Sequence, residues 1–454
     1  MSNSYKKILQ AVSLFTGVQG LNILLNLVRT KRAALILGPA GMGLNSIFNE
    51  MRELIHSTSN IGMDVSGVRT ISLAYEEEQE TRNPETQKLQ DAIALTRSWV
   101  MLLSLFGMLI CLSLSGMLSW LTFSDYSHTW DYALLSPAIA FSTLTCGEMA
   151  ILKGVRRIKA LAAVSVLNVA AGLLTTIPIY YIWGMKGVVP ALVVLTATMF
   201  VIVICFSYRT YPLRLSMRKQ TLVKGIPMLV LGLSFVLSNL ACHGSGIAVR
   251  TYLNNTVSLH MVGLYSAGFT IIMTYGGIVF ASLENDFFPR LSGIFNDPIA
   301  RQKTICQQTE VLLYIIIPLI LVMIFALPIA VPLLFSKDFN DVIPMTQIAS
   351  VGLLFRAVYL PFGYVPLAAG DSKSYLVLEI LSYTFIFIAV VTGFHFYGLT
   401  GAGAGLAVSH LMDSMTSVSY AWWRYGIRPG RRIVLMALTS AAAFTLILLW
   451  LFSM

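Results

Sequence analysis

Arg356 sits near the middle of the apolar stretch 342–369. A guanidinium at bilayer depth is costly and normally faces a bundle interior or a water-filled path. Arg29, Arg52, His56, His243, Arg250, His410 and Asp413 also fall inside long apolar runs. The chemistry open to such a set is binding rather than bond-making. A guanidinium presents a planar fork of donors and keeps its charge at any relevant pH, which suits phosphate or diphosphate. Several of them within one membrane protein predict a polar cavity for an anionic ligand. The carboxylates expected to be buried in the same runs, Glu53, Asp64 and Asp413, have two readings. They neutralise the arginines, or they take up a coupling H+ or Na+.

Helical periodicity groups these residues. Positions three and four apart share a face, so Asn22, Asn26 and Arg29 form one stripe with Gln19. Asn45, Asn49, Arg52, His56 and Asn60 form a second, with Glu53 beside it. A third carries Asn239, His243 and Arg250, and a fourth carries Ser409, Asp413 and Ser417 next to His410. Any single Asn, Ser or His in such a stripe is explained as simply by an interhelical hydrogen bond that holds a bundle together. Arg52 could pair with its neighbour Glu53. Arg356 has no such explanation, because a mid-span position is out of reach of snorkelling. The predicted cavity set is therefore Arg29, Arg52, Arg250, Arg356, Asn22, Asn26, His56 and His243, with Glu53, Asp64 and Asp413 as candidate ion-coupling groups; no catalytic residue and no metal site is expected.

The elements that must hold these residues follow from composition. The 454 residues are 56% hydrophobic and 11% charged, with a net charge of +10, and the mean hydropathy is +0.74. Soluble domains carry about 25% charged residues. Thirteen apolar segments recur: 8–37, 43–73, 92–120, 131–152, 160–182, 187–207, 224–250, 261–284, 306–334, 342–369, 374–396, 401–423 and 432–453. Their length predicts membrane-spanning helices rather than a β-barrel. With the N-terminus in the cytoplasm, the cytoplasmic ends hold most of the 31 basic residues, Arg82, Arg97, Arg156, Arg157, Arg214 and Arg218 among them; the opposite loops keep Lys186 and Lys337. The net charge is thus topology, not a nucleic-acid surface. No cleavable leader is apparent after the basic 1–7 stretch.

A weak internal repeat supports two lobes. Arg29 is followed by Gly43-Leu44, and Arg250 by Gly263-Leu264, about half the chain apart. Paired six-helix halves are a common transporter plan with the ligand site at midplane. We expect an all-α integral membrane fold of two six-helix lobes, 1–220 and 221–425, plus an additional C-terminal transmembrane helix in 426–454. The longest polar connection, 75–91, is too short for a soluble domain. The five cysteines are scattered and form no C-x-x-C pair. The 401–405 run GAGAG is preceded by no strand, so it reads as close helix packing rather than a nucleotide loop. Walker, H-E-x-x-H and G-x-S-x-G motifs do not occur, which argues against an ATP-driven pump.

Over residues 5–425 the chain resembles polysaccharide transporters of the multidrug/oligosaccharidyl-lipid/polysaccharide exporter superfamily, in the branch of Wzx-type lipid-linked oligosaccharide flippases of O-antigen and enterobacterial common antigen. The resemblance is carried by 37–44 (LGPAGMGL), 67–72 (GVRTIS), Lys153-Gly154-Val155-Arg156, Arg250 with 262–267 (VGLYSA), and 367–374 (LAAGDSKS), in that order and spacing. It implies twelve core helices in two lobes, alternating access, and transfer of an undecaprenyl-diphosphate-linked glycan across the bacterial inner membrane. It also implies no cofactor, optional H+ or Na+ coupling, and polymerase or ligase machinery as partners. By the same resemblance Arg29, Arg52 and Arg250 match cavity arginines. Val249 stands where many relatives carry an acid, so no coupling role transfers there, and the thirteenth segment would place the C-terminus in the periplasm. Three alternatives fit the sequence less well. A cation-coupled drug or metabolite exporter would favour an acid-lined cavity, a peptidoglycan-precursor flippase usually has two extra helices, and a membrane polymerase or transferase needs a larger external loop.

Overall fold

The computed structural model describes residues 3–81 and 88–453; positions 82–87, with Arg82 and part of the 75–91 connection, lie outside the described residues. Every regular element among the described residues is helical: α1 (Asn3–Ser59), α2 (Met63–Thr81), α3 (Lys88–Ser113), α4 (Ser115–Phe123), α5 (Thr129–Gly154), α6 (Ile158–Trp183), α7 (Val188–Ser207), α8 (Lys219–Lys224), α9 (Ile226–Thr256), α10 (Leu259–Thr270), α11 (Ile278–Ile294), α12 (Pro298–Leu334), α13 (Val342–Gly363), α14 (Val365–Ala368), α15 (Ser372–Tyr425) and α16 (Arg431–Ser453). This is what long apolar runs must do in a bilayer, where each backbone polar group needs an internal partner. Seven helical runs among the described residues are long and apolar enough to cross a membrane. Two of them, Ile158–Ser207 and Ser372–Tyr425, are 50 and 54 residues long, more than twice the ~20 residues of one crossing. The chain is a multi-pass membrane protein.

Two very long helices fold back on themselves. In α15 the break is at Tyr397 and Gly398 (φ 59°, ψ −141°). Beyond it the GAGAG run brings two helix halves together. A Cβ on Gly401 would lie 2.0 Å from the Gly393 carbonyl oxygen, and one on Gly405 2.2 Å from that of Ala389. Gly403 faces the other way, 2.3 Å by the same measure from the Met345 carbonyl of α13. In α1 the break is at Gly38 (φ 62°, ψ −176°), just before Pro39.

The described residues form two compact units, Met1–Ile247 and Ala248–Met454. In the first, α5 packs between α3 and α7, α2 lies on α3 and α5, and α6 joins α1 to α7. The apolar segment 43–73, expected as one helix, is broken: α1 ends at Ser59 and α2 starts at Met63, with Ile61 (φ 46°) and Gly62 (φ 62°) left-handed. The cause is a close backbone contact. A Cβ on Gly232 would sit 1.8 Å from the Ile61 carbonyl oxygen, and one on Gly62 2.7 Å from that of Gly232. Gly232 itself lies where the helical run bends by 59°, between Leu222–Val230 and Phe235–Thr256.

Arg97, counted among the basic residues at the cytoplasmic ends, is 4% exposed. Its Nε and Nη2 donate to the two carboxylate oxygens of Glu148 at 2.7 and 2.9 Å, and the guanidinium also donates to the carbonyls of Tyr211 and Pro212. Ser207 Oγ donates to Glu148 at 2.6 Å, so the pair ties α3, α5 and the end of α7 together.

In the second unit α13 runs along α15, α12 packs on α13, and α16 packs against α12 and α13. Asp371 caps α15, accepting from the Ser374 amide at 3.1 Å and its hydroxyl at 2.7 Å. Those two bonds, the hydroxyl's first, hold the Asp371 carboxyl below the usual carboxylate range.

Candidate functional site

The first unit contains a cavity of about 460 Å³ lined by Arg29, Asn45, Asn49, Arg52, Glu53 and His56 of α1, Ser142 and Thr145 of α5, and Leu192, Leu195, Thr196 and Met199 of α7. Arg29 and Arg52 are 23 positions apart, about 35 Å along a straight helix, far more than the width of this cavity. They can share it because α1 doubles back at Gly38. The break thus turns the first two stripes into two walls of one chamber.

Arg52 is held on three sides. Its Nη1 donates to Ser142 Oγ at 2.7 Å and its Nη2 to Asn49 Oδ1 at 3.1 Å, and it is ion-paired with Glu53. His56 Nδ1 lies 3.7 Å from the other Glu53 oxygen. His243 of α9 reaches the same neighbourhood of α1 through Glu50, with Nδ1 to Oε1 at 2.9 Å. Arg29 differs: among the described residues no carboxylate lies within ion-pair distance of it. Gly172 makes room for its guanidinium, since a Cβ there would meet Nη1 at 3.2 Å. Buried without a protein partner are Arg52 Nε, a donor, and His56 Nε2, both on residues that line the same chamber. The arrangement offers an anion one uncompensated cation, Arg29, and a second that is oriented but already neutralised, Arg52.

Other predicted members lie elsewhere. Asn22 is buried but donates to Ser165 Oγ at 2.7 Å, a packing bond between α1 and α6. Asn26 is exposed on α1. Asp64, expected among the buried carboxylates, is exposed in the first turn of α2. Asn22 thus serves the packing between helices, while Asn26 and Asp64 face outward.

In the second unit Arg250 is 6% exposed, with its guanidinium 5.7 Å from the Phe269 ring centre. Arg356 projects from α13 into a separate cavity of about 250 Å³ with Tyr359, Tyr364, Tyr375, Glu379 and Tyr383. It is backed by Met273, whose sulfur lies 3.0 Å from Nη1, and by the Phe280 ring at 5.1 Å. Met273 belongs to a π-helical turn, Ile271–Tyr275, a local distortion often found at functional positions. Asp413 accepts from Ser382 Oγ at 2.9 Å and lies 3.6 Å from His410 Nδ1; both are buried and neither lines the cavity.

Reasoning from sequence missed Glu50, Ser142 and the Tyr–Glu set of α15. Only the last had a local signal, Tyr375, Glu379 and Tyr383 at a spacing of four. Among the described residues no three His, Cys, Asp or Glu side chains come together where a metal ion could sit.

Known proteins place the architecture. An inward-facing multidrug resistance MATE family transporter of the MOP superfamily superposes with a TM-score of 0.74 at 15% identity, over 92% of this chain and 96% of the other. The lipid II flippase MurJ in its inward closed conformation gives 0.69 at 13% identity, over 96% and 92%. A MOP superfamily transporter from Pyrococcus furiosus, described as having a binding pocket of reverse polarity, gives 0.61 at 15%, over 94% of each. Such likenesses establish the fold. No curated protein matches the sequence. Residues 87–344, more than half of the chain, match the family described as polysaccharide biosynthesis protein. The chain therefore belongs to the polysaccharide biosynthesis protein family, as a multi-pass membrane protein with the transporter fold of the MOP superfamily.

Proposed function

We propose that the protein is a flippase, not an enzyme, that moves an undecaprenyl-diphosphate-linked oligosaccharide from the cytoplasmic to the periplasmic leaflet of the bacterial inner membrane by alternating access. The observation that carries this reading is Arg29, a cation without an acidic partner inside a chamber of a polysaccharide-biosynthesis membrane protein. A diphosphate supplies the missing negative charge, and a guanidinium receives it as a fork. Arg52, oriented by Ser142 and Asn49, adds donors. The polyprenyl tail stays in lipid. The N-terminus is cytoplasmic, as the loop charges require, and the C-terminus is periplasmic. Polymerase or ligase machinery takes the glycan on the far side. Proton or Na+ coupling would run through Glu53, with His56 beside it, or through Asp413 with His410; Asp64, exposed, suits it less.

A multidrug exporter of the same fold is the reading Glu53 would favour, since a carboxylate in the chamber could hold a cationic drug. The Arg52 ion pair neutralises that carboxylate and weighs against it.

The deciding experiment is complementation of a host lacking its own copy. Arg29→Ala should abolish surface glycan and leave lipid-linked oligosaccharide on the cytoplasmic side, with protein abundance unchanged. Wild-type glycan in that variant would overturn the reading.

A further inference from the structure

We propose that the cavity around Arg356 and Glu379 is a saccharide subsite that takes one sugar ring of the transported glycan, an inference that rests on the flippase reading above. Two helix faces build it. Tyr375, Glu379 and Tyr383 are four apart on α15 and share a face; Arg356 and Tyr359 come from α13, with Tyr364 just beyond its end.

The volume and the mixed charge select the ligand. About 250 Å³ is below the ~300–1,000 Å³ of sites for drug-sized ligands, so the cavity accommodates a single ring rather than a chain. A phosphate here would face the Glu379 carboxylate, and a cation would face the Arg356 guanidinium. An apolar ligand would desolvate both charges without replacing their hydrogen bonds, a costly exchange. A polyhydroxylated ring avoids all three penalties. Its hydroxyls donate to the carboxylate and accept from the guanidinium and from tyrosine hydroxyls, while aromatic faces cover its C–H surface. Four tyrosines around one Arg and one Glu give that combination of apolar faces and two-way hydrogen bonding.

The test uses the full-length chain in nanodiscs and two probes, undecaprenyl diphosphate without sugar and the same lipid carrying the host's oligosaccharide. Wild type should bind the glycosylated lipid about tenfold more tightly, the worth of one or two well-made hydrogen bonds. The double variant Tyr375→Phe/Tyr383→Phe keeps ring volume and removes only hydroxyls, and its melting in detergent is compared with wild type. It should reduce that preference to less than about threefold while binding the sugar-free lipid as wild type does, and Glu379→Gln should do the same. Retention of the wild-type preference in both variants, or no preference in wild type, would overturn the subsite. Failure of wild type to bind either lipid would instead refute the flippase reading, and the subsite with it.

Discussion

Arg29 and Arg52 line one chamber, yet the structure predicts opposite consequences for their removal. Arg29→Ala deletes a cation with no acidic partner among the described residues, so no carboxylate is stranded and folding should be unaffected. What is lost is a charge-assisted contact to the ligand, worth about 1.5–3 kcal/mol, or about 10- to 150-fold in affinity. Arg52→Ala removes the partner of Glu53 and the donors to Asn49 and Ser142. The pair's side chains are 13% and 34% exposed, so solvent screens part of the penalty, and the 3–5 kcal/mol of a fully buried pair falls to about 1–3 kcal/mol. We expect Arg29→Ala to reach wild-type abundance and thermal stability with little or no exported glycan. Arg52→Ala should lose abundance and melt earlier, and Glu53→Gln in the same chain should restore stability without restoring export. The measurements are melting in detergent, membrane abundance and surface glycan in a complemented host. The charge accounting is refuted if Arg29→Ala destabilises as much as Arg52→Ala, or if Arg29→Ala exports glycan normally.

Two further outcomes test the scaffold. Glu148→Ala leaves Arg97 buried and unpaired, which should cost about 3–5 kcal/mol and sharply reduce abundance; a wild-type melting temperature would show the network to be dispensable. Gly403→Ala forces α15 away from the Met345 carbonyl of α13 and should cost about 1–3 kcal/mol, read as earlier melting in detergent.

The spans were legible because the bilayer enforces them: each of the thirteen apolar segments is predominantly helical among the described residues. The breaks inside them were less so. The 59–63 interruption depends on a contact between Gly62 and Gly232, distant in sequence, and local apolarity carries no trace of it. Arg52–Glu53 could be suspected because the two are adjacent. His243–Glu50, 193 positions apart, could not. The Arg97–Glu148 pair is hidden for a related reason. A basic residue near a helix end satisfies a topology rule whether it faces water or a buried carboxylate, and only packing distinguishes the two. The α15 tyrosines escaped notice because segmentation treats Tyr as apolar, which hides a hydroxyl-bearing face within a hydrophobic run.

The local charge balance also constrains how a chamber of this kind could work. A cation sealed in low dielectric without a counter-charge is expensive, whereas one already paired gains little from an arriving anion, since the anion must compete with the resident carboxylate. The first unit's cavity contains both kinds, Arg29 of the former and Arg52 of the latter. On the proposed reading, binding strength rests on Arg29, which has no acidic partner among the described residues, and orientation on Arg52, whose fork is already fixed by Asn49 and Ser142. Adding a second unpaired cation would tighten binding but make the empty chamber harder to seal. Removing Glu53 alone has that effect, because it converts Arg52 from a neutralised, oriented group into a free charge. The Arg52–Glu53 pair is thus best understood as setting how much charge the ligand must supply.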